Sequence, residues 1–393
     1  MSIKDKVAII GVGMTKFGDN FELTYQDMMV QAVHEAMADA GISLKDVEAG
    51  WLGTFGPDDT GMEGKGGNAL CDALQMWGRP VSRVEGYCTS GMEAVRHGAM
   101  SIAAGMYDMV IAVGCEKMRD LPPRGSLVAR HVEKTHPLLC KGRTAPGMFA
   151  LVANRYFHTF GIDKSTLAKV AVKNHFNGSL NPKAHFRREV TPEQVLKAPL
   201  VADPLGLFDC CPTTDGSAAV VMCSKETADR LGKDYVLIKG MGLSQSAGFF
   251  TTQFDPDNDF LGFKATREAA NMAYQQAGIT DPFKQIDLAE VHDCFTITEI
   301  VNYEDLGFCA KGDGGKFISE GVSTLQGELP VNTAGGLKSC GHPVGATGVR
   351  VVGEVVNQLL GRMGKRQIKG ATTGVAHTLG GPGAESCVMV LGR

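Results

Sequence analysis

The stretch KVAIIG at residues 6–11 decides the fold, together with the elements that follow it. Its apolar run is typical of a buried strand, and the amphipathic pattern over residues 25–40 predicts a helix that ends in Ala-Gly-Ile. A second strand is predicted over residues 49–55. The first unit of the chain is therefore strand, helix and strand.

The second half of the chain repeats this order. YVLIKG at residues 235–240 predicts a strand, residues 264–277 predict a helix that also ends in Ala-Gly-Ile, and residues 288–291 predict the next strand. Two copies of one unit, about 230 residues apart, indicate a duplication. Strands that alternate with helices predict an α/β fold, in which helices cover both faces of a parallel or mixed sheet.

The correspondence extends further along both halves. A helix is predicted to begin at Ser90-Gly91 in the first half and at Thr347-Gly348 in the second. The apolar strand predicted over residues 109–113 is matched with residues 387–391. These matches strengthen the interpretation of a duplicated chain.

The duplication sets the predicted domain organisation. Residues 1–230 form the first half and residues 231–393 the second. Residues from about 117 to 205 have no counterpart in the second half and are rich in Pro, His, Arg and Lys. We interpret them as an inserted loop region that could cover a substrate.

The composition excludes several classes of function. The 393 residues can bury a large core in two domain-sized units, and 44% of them are hydrophobic. A formal charge of −4 offers no basic excess for nucleic acid. The eleven cysteines are scattered, with neither a secretory segment nor an apolar run of about 18 residues. We therefore expect reduced thiols in the cytoplasm and no membrane segment.

Cys88 lies in EGYCTSG, residues 85–91, directly before an amphipathic pattern that starts at Met92. Taken alone, a free cysteine is more often a buried structural thiol than a nucleophile. Helix N-termini favour negative charge, so we expect a lowered thiol pKa and a reactive thiolate. Candidate partners stand in two distant motifs, HDCF at residues 292–295 and GHP at residues 341–343.

Four motifs together resemble one enzyme superfamily. CTSG at residues 88–91, HDCF at 292–295, GHPVGATG at 341–348 and GGPG at 380–383 follow the order and spacing of the thiolase superfamily. The chain looks most like sterol-carrier-protein-type and archaeal-type thiolases, which carry an HDCF-like motif. The resemblance covers essentially the whole chain. It implies a thiolase-like fold, in which two duplicated β-α-β-α halves form a layered α-β-α-β-α arrangement.

Cys88 and His342 are the candidate nucleophile and base. Exchange of acyl groups between thioesters suits a thiolate, because the acyl-enzyme is itself a thioester. His342 lies between Gly341 and Pro343, which favour a turn, and neutral imidazole can accept the thiol proton. A purely turn-forming role for His342 stays open at this point.

Cys294 is the candidate acid/base for carbon–carbon bond formation. Many thiolases use a cysteine in the last glycine-rich loop, but AHTL at residues 376–379 occupies that place here. In relatives that lack this cysteine the HDCF cysteine takes its role, so the resemblance assigns it to Cys294, with a core thiol as the alternative. His292 faces the same side of an extended backbone. By resemblance it donates a hydrogen bond to the thioester oxygen, worth about 3 kcal/mol of barrier.

The last glycine-rich segment supplies further candidates. An oxyanion site for acylation would combine the backbone N–H of Cys88 with one from a turn at Leu379–Gly380. His377 stands where other thiolases carry the reactive cysteine, and it could line the pocket, orient Cys294 or fill space. Phe55, Met148, Phe149, Phe249 and Phe250 are candidates for an acyl pocket, although such residues are more often core.

The resemblance implies coenzyme A thioesters as substrates, with no permanently bound cofactor. Basic residues near the mouth of a pantetheine tunnel would meet the phosphates, and Arg124, Arg130, Lys141 and Arg143 in the unmatched region are the candidates. A solvated charged loop is the alternative interpretation. We find no P-loop and no spacing of metal ligands in the sequence.

These inferences predict an acyl-CoA C-acyltransferase, resembling acetyl-CoA acetyltransferase, that catalyses reversible Claisen condensation and thiolysis of 3-oxoacyl-CoA. Two alternatives remain: a thiolase-fold retro-aldolase that cleaves a CoA-linked side chain with a small partner protein, and a non-catalytic acyl-CoA-binding subunit. The resemblance also implies a homodimer or homotetramer, and some relatives work with a small nucleotide-handling partner.

Overall fold

The computed structural model describes residues 3–56, 66–120, 144–247 and 259–393. The strands in these ranges are β1 (Val7–Met14), β2 (Ala49–Gly53), β3 (Val81–Val84), β4 (Met109–Glu116), β5 (Leu200–Ala202), β6 (Leu205–Gly206), β7 (Gly216–Ser224), β8 (Val236–Gln245), β9 (Leu288–Glu290), β10 (Thr373–Gly380) and β11 (Glu385–Gly392). The helices are α1 (Tyr25–Ala40), α2 (Asn68–Leu74), α3 (Ser90–Ala103), α4 (Ala145–Phe160), α5 (Lys164–Ser179), α6 (Pro192–Leu196), α7 (Lys225–Leu231), α8 (Lys264–Ala277), α9 (Pro282–Gln285), α10 (Thr296–Asp305), α11 (Gly314–Ser319), α12 (Gly336–Cys340) and α13 (Val344–Leu359).

The main sheet is mixed, and its strand order mirrors itself about the centre. The order is β3-β2-β4-β7-β1-β8-β11-β10-β9. In the first half β2 and β4 are parallel, and β4, β7 and β1 are antiparallel. In the second half β9 and β10 are parallel, and β10, β11 and β8 are antiparallel. Pairing of β1 with β8 joins the halves, so the predicted duplication and mixed sheet are confirmed.

The mirror order corrects one predicted correspondence. Residues 109–113 lie in β4, which follows α3, and the equivalent strand after α13 is β10. Residues 387–391 instead lie in β11, the counterpart of β7. The sequence TGVAHTLG of β10 lacks the continuous apolar run of a buried strand. The sequence pattern therefore does not predict a strand at β10.

The helices form outer and central layers around the two half-sheets. α1 packs on β1 and β7, α8 packs on β8 and β11, and α3 and α13 pack against each other between the halves. This is the expected α-β-α-β-α layering. The predicted bounds of α1 and α8 match, since left-handed Gly41 and Gly278 end the two helices. Among the helices of residues 3–56, 66–120, 144–247 and 259–393, none combines the length and the hydropathy of a membrane-spanning segment.

The central helices meet through glycines, with backbone against backbone. A Cβ added to Gly348 on α13 would lie 2.1 Å from the amide nitrogen of Met92 on α3. A Cβ added to Gly91 would lie 2.3 Å from the carbonyl oxygen of Gly345. Only glycine permits this approach. Because α3 and α13 begin here, the loops that precede both helices are brought together.

The described part of the predicted inserted loop region is largely helical, which corrects that prediction. α4 and α5 begin at the N-caps Thr144 and Asp163, whose side chains accept backbone hydrogen bonds. The apolar face of α4, including Met148, Phe149 and Tyr156, is buried in the core of the second half. The Pro-rich and charged composition masked this helical face. The insertion therefore packs against the second half through α4.

The glycine contact generates a test of stability. Gly348→Ala should destabilise the fold by about 1–3 kcal/mol, because the added methyl group overlaps the backbone of α3. Intrinsic helix propensity alone predicts the opposite sign, a gain of about 1 kcal/mol. Urea unfolding at equilibrium measures the difference.

Gly18→Ala is the matched control for this change. A Cβ at Gly18 meets nothing within 4 Å, so its effect should stay within about 0.5 kcal/mol. A Gly348→Ala protein as stable as the wild type would contradict the close contact of α3 with α13.

Candidate active site

The four predicted catalytic side chains line one narrow cavity. Its volume is about 90 Å³, and both halves of the chain and α4 contribute to its wall. The ligating atoms of Cys88, His292 and His342, one sulfur and two ring nitrogens, lie within 4.8 Å of one another. Cys294 lines the same cavity. Residues that are far apart in the sequence therefore meet here.

A tight turn directly before α3 presents Cys88. Tyr87 has a φ of 53°, in the left-handed region that is unfavourable for a bulky side chain. Ser90 Oγ donates to the Tyr87 carbonyl at 2.6 Å and closes the turn. The Thr89 hydroxyl bonds the Glu385 carboxylate on β11. The turn is thus attached to the second half of the molecule.

The resting state of Cys88 differs from the predicted thiolate. Burial raises the pKa of its thiol to about 12, although a hydrogen bond from the Gly381 N–H acts in the opposite direction. The carboxylates of Glu116 and Glu85 raise the pKa further. The expected lowering at a helix N-terminus is therefore wrong for the substrate-free protein, because loss of hydration outweighs the favourable N–H groups.

His342 is held in one orientation and one tautomer. Its Nδ1 lies 2.7 Å from Thr347 Oγ1, and that hydroxyl donates to the Pro343 carbonyl at 2.9 Å. The hydroxyl proton is thus used, so Oγ1 accepts from Nδ1–H and Nε2 keeps a free lone pair. Burial, and then the Arg350 charge, lower the pKa of His342 to about 3. His342 is therefore a neutral imidazole.

The HDCF segment lies between β9 and α10 and brings His292 and Cys294 to the same cavity. The Asn302 side chain donates to the His292 carbonyl at 2.7 Å, and the Cys211 amide donates to the Cys294 carbonyl at 2.9 Å. Burial raises the pKa of Cys294 well above its usual value, and its Sγ lies 3.7 Å from Thr298 Oγ1. Burial lowers the pKa of His292 well below its usual value.

Asp293 connects the HDCF segment to the segment that carries His342. It accepts hydrogen bonds from the Leu337 amide at 2.6 Å and the Lys338 amide at 3.3 Å, at the start of α12. The Asn174 side chain donates to it at 2.8 Å. Burial raises the pKa of Asp293 to about 7. Its contacts are those of a structural acceptor behind the cavity.

His377 lies behind His292 and does not line the cavity. Its Nδ1 accepts from the His292 amide at 3.3 Å. Its Nε2 lies 3.1 Å from Ser386 Oγ and 3.3 Å from Thr266 Oγ1. Burial lowers the pKa of His377 to about 3. Of the three roles considered from the sequence, lining the pocket is wrong, and the described contact is with His292 instead of Cys294.

The predicted oxyanion turn at Leu379–Gly380 is displaced by one residue. Leu379 and Gly380 pair with β11 at the end of β10, and neither lines the cavity. Gly381 lines it, with a φ of 56°, and its N–H is the one directed at Cys88. The Tyr87 ring would lie 3.4 Å from a Cβ there. The sequence showed the glycine run but not the residue at which the strand ends.

Aromatic and sulfur-containing side chains form much of the remaining wall. Phe55, Met148 and Phe149, predicted as acyl-pocket candidates, line the cavity, and Phe149 stacks on Phe295 with ring centroids 4.8 Å apart. Phe249 and Phe250 lie outside the described residues.

Two further groups of residues at the site were missed from the sequence. Cys210 and Cys211 both line the cavity. Glu116 is buried at the end of β4 and accepts from the amides of Phe55 at 2.8 Å and Gly345 at 2.9 Å. It joins one wall of the cavity to the start of α13. Adjacent cysteines and a single glutamate carry no spacing signal that reveals such contacts.

Four basic residues are predicted from the sequence to bind the phosphates of coenzyme A. Arg124, Arg130, Lys141 and Arg143 all lie outside the described residues. Their role stays a prediction from the sequence.

Comparison with known proteins identifies the family of this arrangement. The family model for the thiolase N-terminal domain matches residues 7–226, and the model for the thiolase C-terminal domain matches residues 247–393. An acetyl-CoA acetyltransferase from Methanothermobacter thermautotrophicus is 39% identical over 98% of this chain and 99% of its own. Sterol carrier protein 2 from Oryctolagus cuniculus is 34% identical over 96% of this chain and 70% of its own.

A solved structure also resembles the whole chain. The Ltp2–ChsH2(DUF35) aldolase superposes with a TM-score of 0.87 at 27% sequence identity, covering 100% of this chain and 99% of the matched chain. The acetyl-CoA acetyltransferase and the aldolase, both similar to this chain, are named for two different activities.

The pKa values generate a test of the resting site. With Cys88 near 12 and His342 near 3, the pair is thiol and neutral imidazole at neutral pH. Both pKa values lie outside the range from about pH 7 to pH 10, so Cys88 stays mostly a thiol there and its small thiolate fraction grows about tenfold per pH unit. The alkylation rate of Cys88 by iodoacetamide should rise by the same factor. Peptide mass spectrometry measures the rate at Cys88 itself. A plateau in this range would reveal a preformed thiolate–imidazolium pair and contradict the assignment.

Proposed function

The chain belongs to the thiolase family, and from that premise we propose that it is an acyl-CoA C-acyltransferase catalysing reversible Claisen condensation and thiolysis of 3-oxoacyl-CoA. The observation that carries the proposal is the cavity itself. A cysteine sulfur and two neutral imidazoles lie within 4.8 Å of one another, with a second cysteine in the same wall. Acyl transfer through a thioester on an enzyme cysteine needs this set of groups.

In the first step the acyl group passes to Cys88. His342 Nε2 accepts the thiol proton, and the thiolate attacks the thioester carbonyl. The backbone N–H groups of Cys88 and Gly381 are the proposed donors to the oxyanion. The carbonyl re-forms, coenzyme A leaves as a thiolate, and the His342 imidazolium returns the proton to it. A neutral histidine at the start suits this exchange, because it is ready to accept a proton.

In the second step Cys294 exchanges a proton with the carbon next to the thioester carbonyl. In its thiolate form Cys294 removes that proton from the second acyl-CoA, and the enolate attacks the acyl carbonyl on Cys88. The bond between that carbonyl carbon and the Cys88 sulfur breaks, and the departing Cys88 thiolate takes up the proton that Cys294 holds. His292 is the proposed donor to the enolate oxygen, with His342 sharing the role. The raised pKa of Cys294 favours the thiol, which is the acid form that the reverse reaction, thiolysis, requires.

We propose a short acyl group, such as acetyl, for the group on Cys88. The cavity has a volume of only about 90 Å³. Phe55 and Phe149 line it and leave little room for a long chain. Relatives named acetyl-CoA acetyltransferase support the same choice.

We further propose how the enzyme works in its surroundings. Its substrates are coenzyme A thioesters, it holds no permanent cofactor, and it acts as a homodimer or homotetramer in the cytoplasm. The ten cysteines within the described residues are all free thiols, in keeping with a reducing compartment. The name of the DUF35-containing structural neighbour supports a small partner protein as an alternative assembly.

A second candidate function is retro-aldol cleavage of a CoA-linked side chain, and the structural neighbour that is an aldolase favours it. That chemistry forms no acyl-enzyme. The presence of Cys88 with a base in reach supports the transferase instead.

Acetylation of Cys88 separates these functions. Incubation with acetyl-CoA should place an acetyl group on Cys88, detected by peptide mass spectrometry. Cys294→Ala should still form the adduct but lose about 10²–10⁴-fold in thiolysis of acetoacetyl-CoA, since only the second step needs Cys294. Cys88→Ala should lose both. Longer 3-oxoacyl-CoA substrates should react more slowly than acetoacetyl-CoA.

The alternatives predict different results in the same assay. If Cys88 stays unmodified and the protein cleaves an aldol substrate, the function is that of an aldolase and not of a transferase. An unmodified Cys88 with tight coenzyme A binding and no turnover would identify a binding subunit.

A further inference from the structure

We propose that Cys88, His292 and His342 form a zinc-binding site, and that a zinc ion bound there reversibly blocks the active site. The inference goes beyond the proposed acyl transfer and does not depend on it. It rests on the ligand types and on their separation, both of which are properties of the substrate-free protein.

The geometry suits a tetrahedral ion. The three ligating atoms lie within 4.8 Å of one another. Zinc binds sulfur at about 2.3 Å and imidazole nitrogen at about 2.0–2.1 Å, so its ligands are about 3.5 Å apart. Because His342 is held by Thr347, the proposal requires rotations of the Cys88 and His292 side chains that shorten these separations. One cysteine and two histidines then occupy three positions and leave a fourth position open to the cavity.

Both histidines have a nitrogen available for the ion. His342 donates its Nδ1–H to Thr347 Oγ1 and so keeps the lone pair on Nε2. Zinc-ligating histidines commonly have such an outer hydrogen bond, which fixes the ring orientation. Nδ1 of His292 is buried and has no hydrogen-bond partner among the described residues. The His292 and His342 rings stand nearly perpendicular, with centroids 5.2 Å apart.

The surrounding charges tolerate a cation. Binding replaces the Cys88 S–H bond by a sulfur–zinc bond, and the proton passes to solvent, so the site gains a single positive charge. The carboxylates of Glu116 and Glu85 act on Cys88 from the first half of the chain. The positive charge of Arg350 acts on His342 and opposes a bound cation. Glu290 pairs with Arg350 at 2.7 Å and offsets this charge.

The donor set selects the class of metal and explains the inhibition. A thiolate with two imidazoles favours zinc over magnesium or calcium, which prefer oxygen ligands. The ion would occupy the Cys88 sulfur and the free nitrogen of His342 together. Neither could then take part in acyl transfer, and removal of the ion by a chelator would release both.

Cobalt(II), which adopts similar geometry, is the probe for the test. Titration of the substrate-free protein with Co²⁺ should give a sulfur-to-cobalt charge-transfer absorption and the intense visible bands of tetrahedral cobalt, and Zn²⁺ should abolish both at one ion per chain. Cys88→Ser should lose the charge-transfer absorption. His292→Ala and His342→Ala should each weaken zinc binding at least about tenfold.

Two further variants keep the test specific. Thr347→Val removes the outer partner of His342 without removing a ligand, and should cost about 10–100-fold in affinity. Cys294→Ala removes a thiol from the same cavity that is outside the ligand set, and its affinity should be unchanged. Circular dichroism without metal checks that each variant is folded.

Two results would overturn the proposal. One is a charge-transfer absorption that survives in folded Cys88→Ser, because the ion then binds another thiol. The other is a zinc affinity that folded His292→Ala and His342→Ala leave unchanged. Since no acyl-CoA is present, failure of this test leaves the acetylation of Cys88 a separate question.

Discussion

The backbone contact between α3 and α13 is the constraint on which the rest of the structure depends. Gly91 and Gly348 let the two central helices approach without side chains between them. Cys88 stands two residues before α3, and His342 stands two residues before α13. The proposed nucleophile and the proposed base therefore occupy equivalent loops of the two duplicated halves. Their proximity follows from the symmetry of the fold and from the absence of Cβ atoms at the contact.

Burial sets the electrostatic character of the cavity that this contact creates. Loss of hydration disfavours every charged form, so the thiols of Cys88 and Cys294 hold their protons and the histidines His292 and His342 remain neutral. A neutral thiol beside a neutral imidazole can pass a proton only when a substrate makes the transfer favourable. The same neutral imidazoles are suitable ligands for a metal ion. Proposed acyl transfer and proposed zinc binding thus depend on one physical property.

Much of the fold and the convergence of the site could be predicted from the sequence. The helices over residues 25–40 and 264–277 were predicted within their observed bounds, because an amphipathic pattern and a terminal glycine are local signals. The motifs that carry Cys88, His292, Cys294 and His342 pointed to one cavity because their order matches a known family. Local patterns and family motifs are the two kinds of information that a sequence states directly.

The rest depends on tertiary contacts that no local pattern records. Burial raises the pKa of Cys88, opposite to the predicted lowering, because loss of hydration outweighs the effect of the helix terminus. The cavity is lined by Gly381 and not by the predicted Leu379–Gly380, because the pairing of β10 with β11 sets the residue at which β10 ends. Cys210 and Cys211 reach the cavity through pairing with the HDCF segment, at Phe295 and Cys294. The HDCF segment that Cys210 and Cys211 contact lies in a distant part of the chain.

The most direct measurement for the central claim is cross-linking by a three-carbon bifunctional alkylating reagent, 1,3-dibromoacetone, followed by peptide mass spectrometry. The reagent first alkylates Cys88 and can then react only with a nucleophile beside it. The account predicts a bridge from Cys88 to an imidazole nitrogen of His342 or His292. Full alkylation of Cys88 with no bridge to His292 or His342, or to the thiols of Cys210, Cys211 and Cys294 in the same cavity, would contradict the convergence of the two loops.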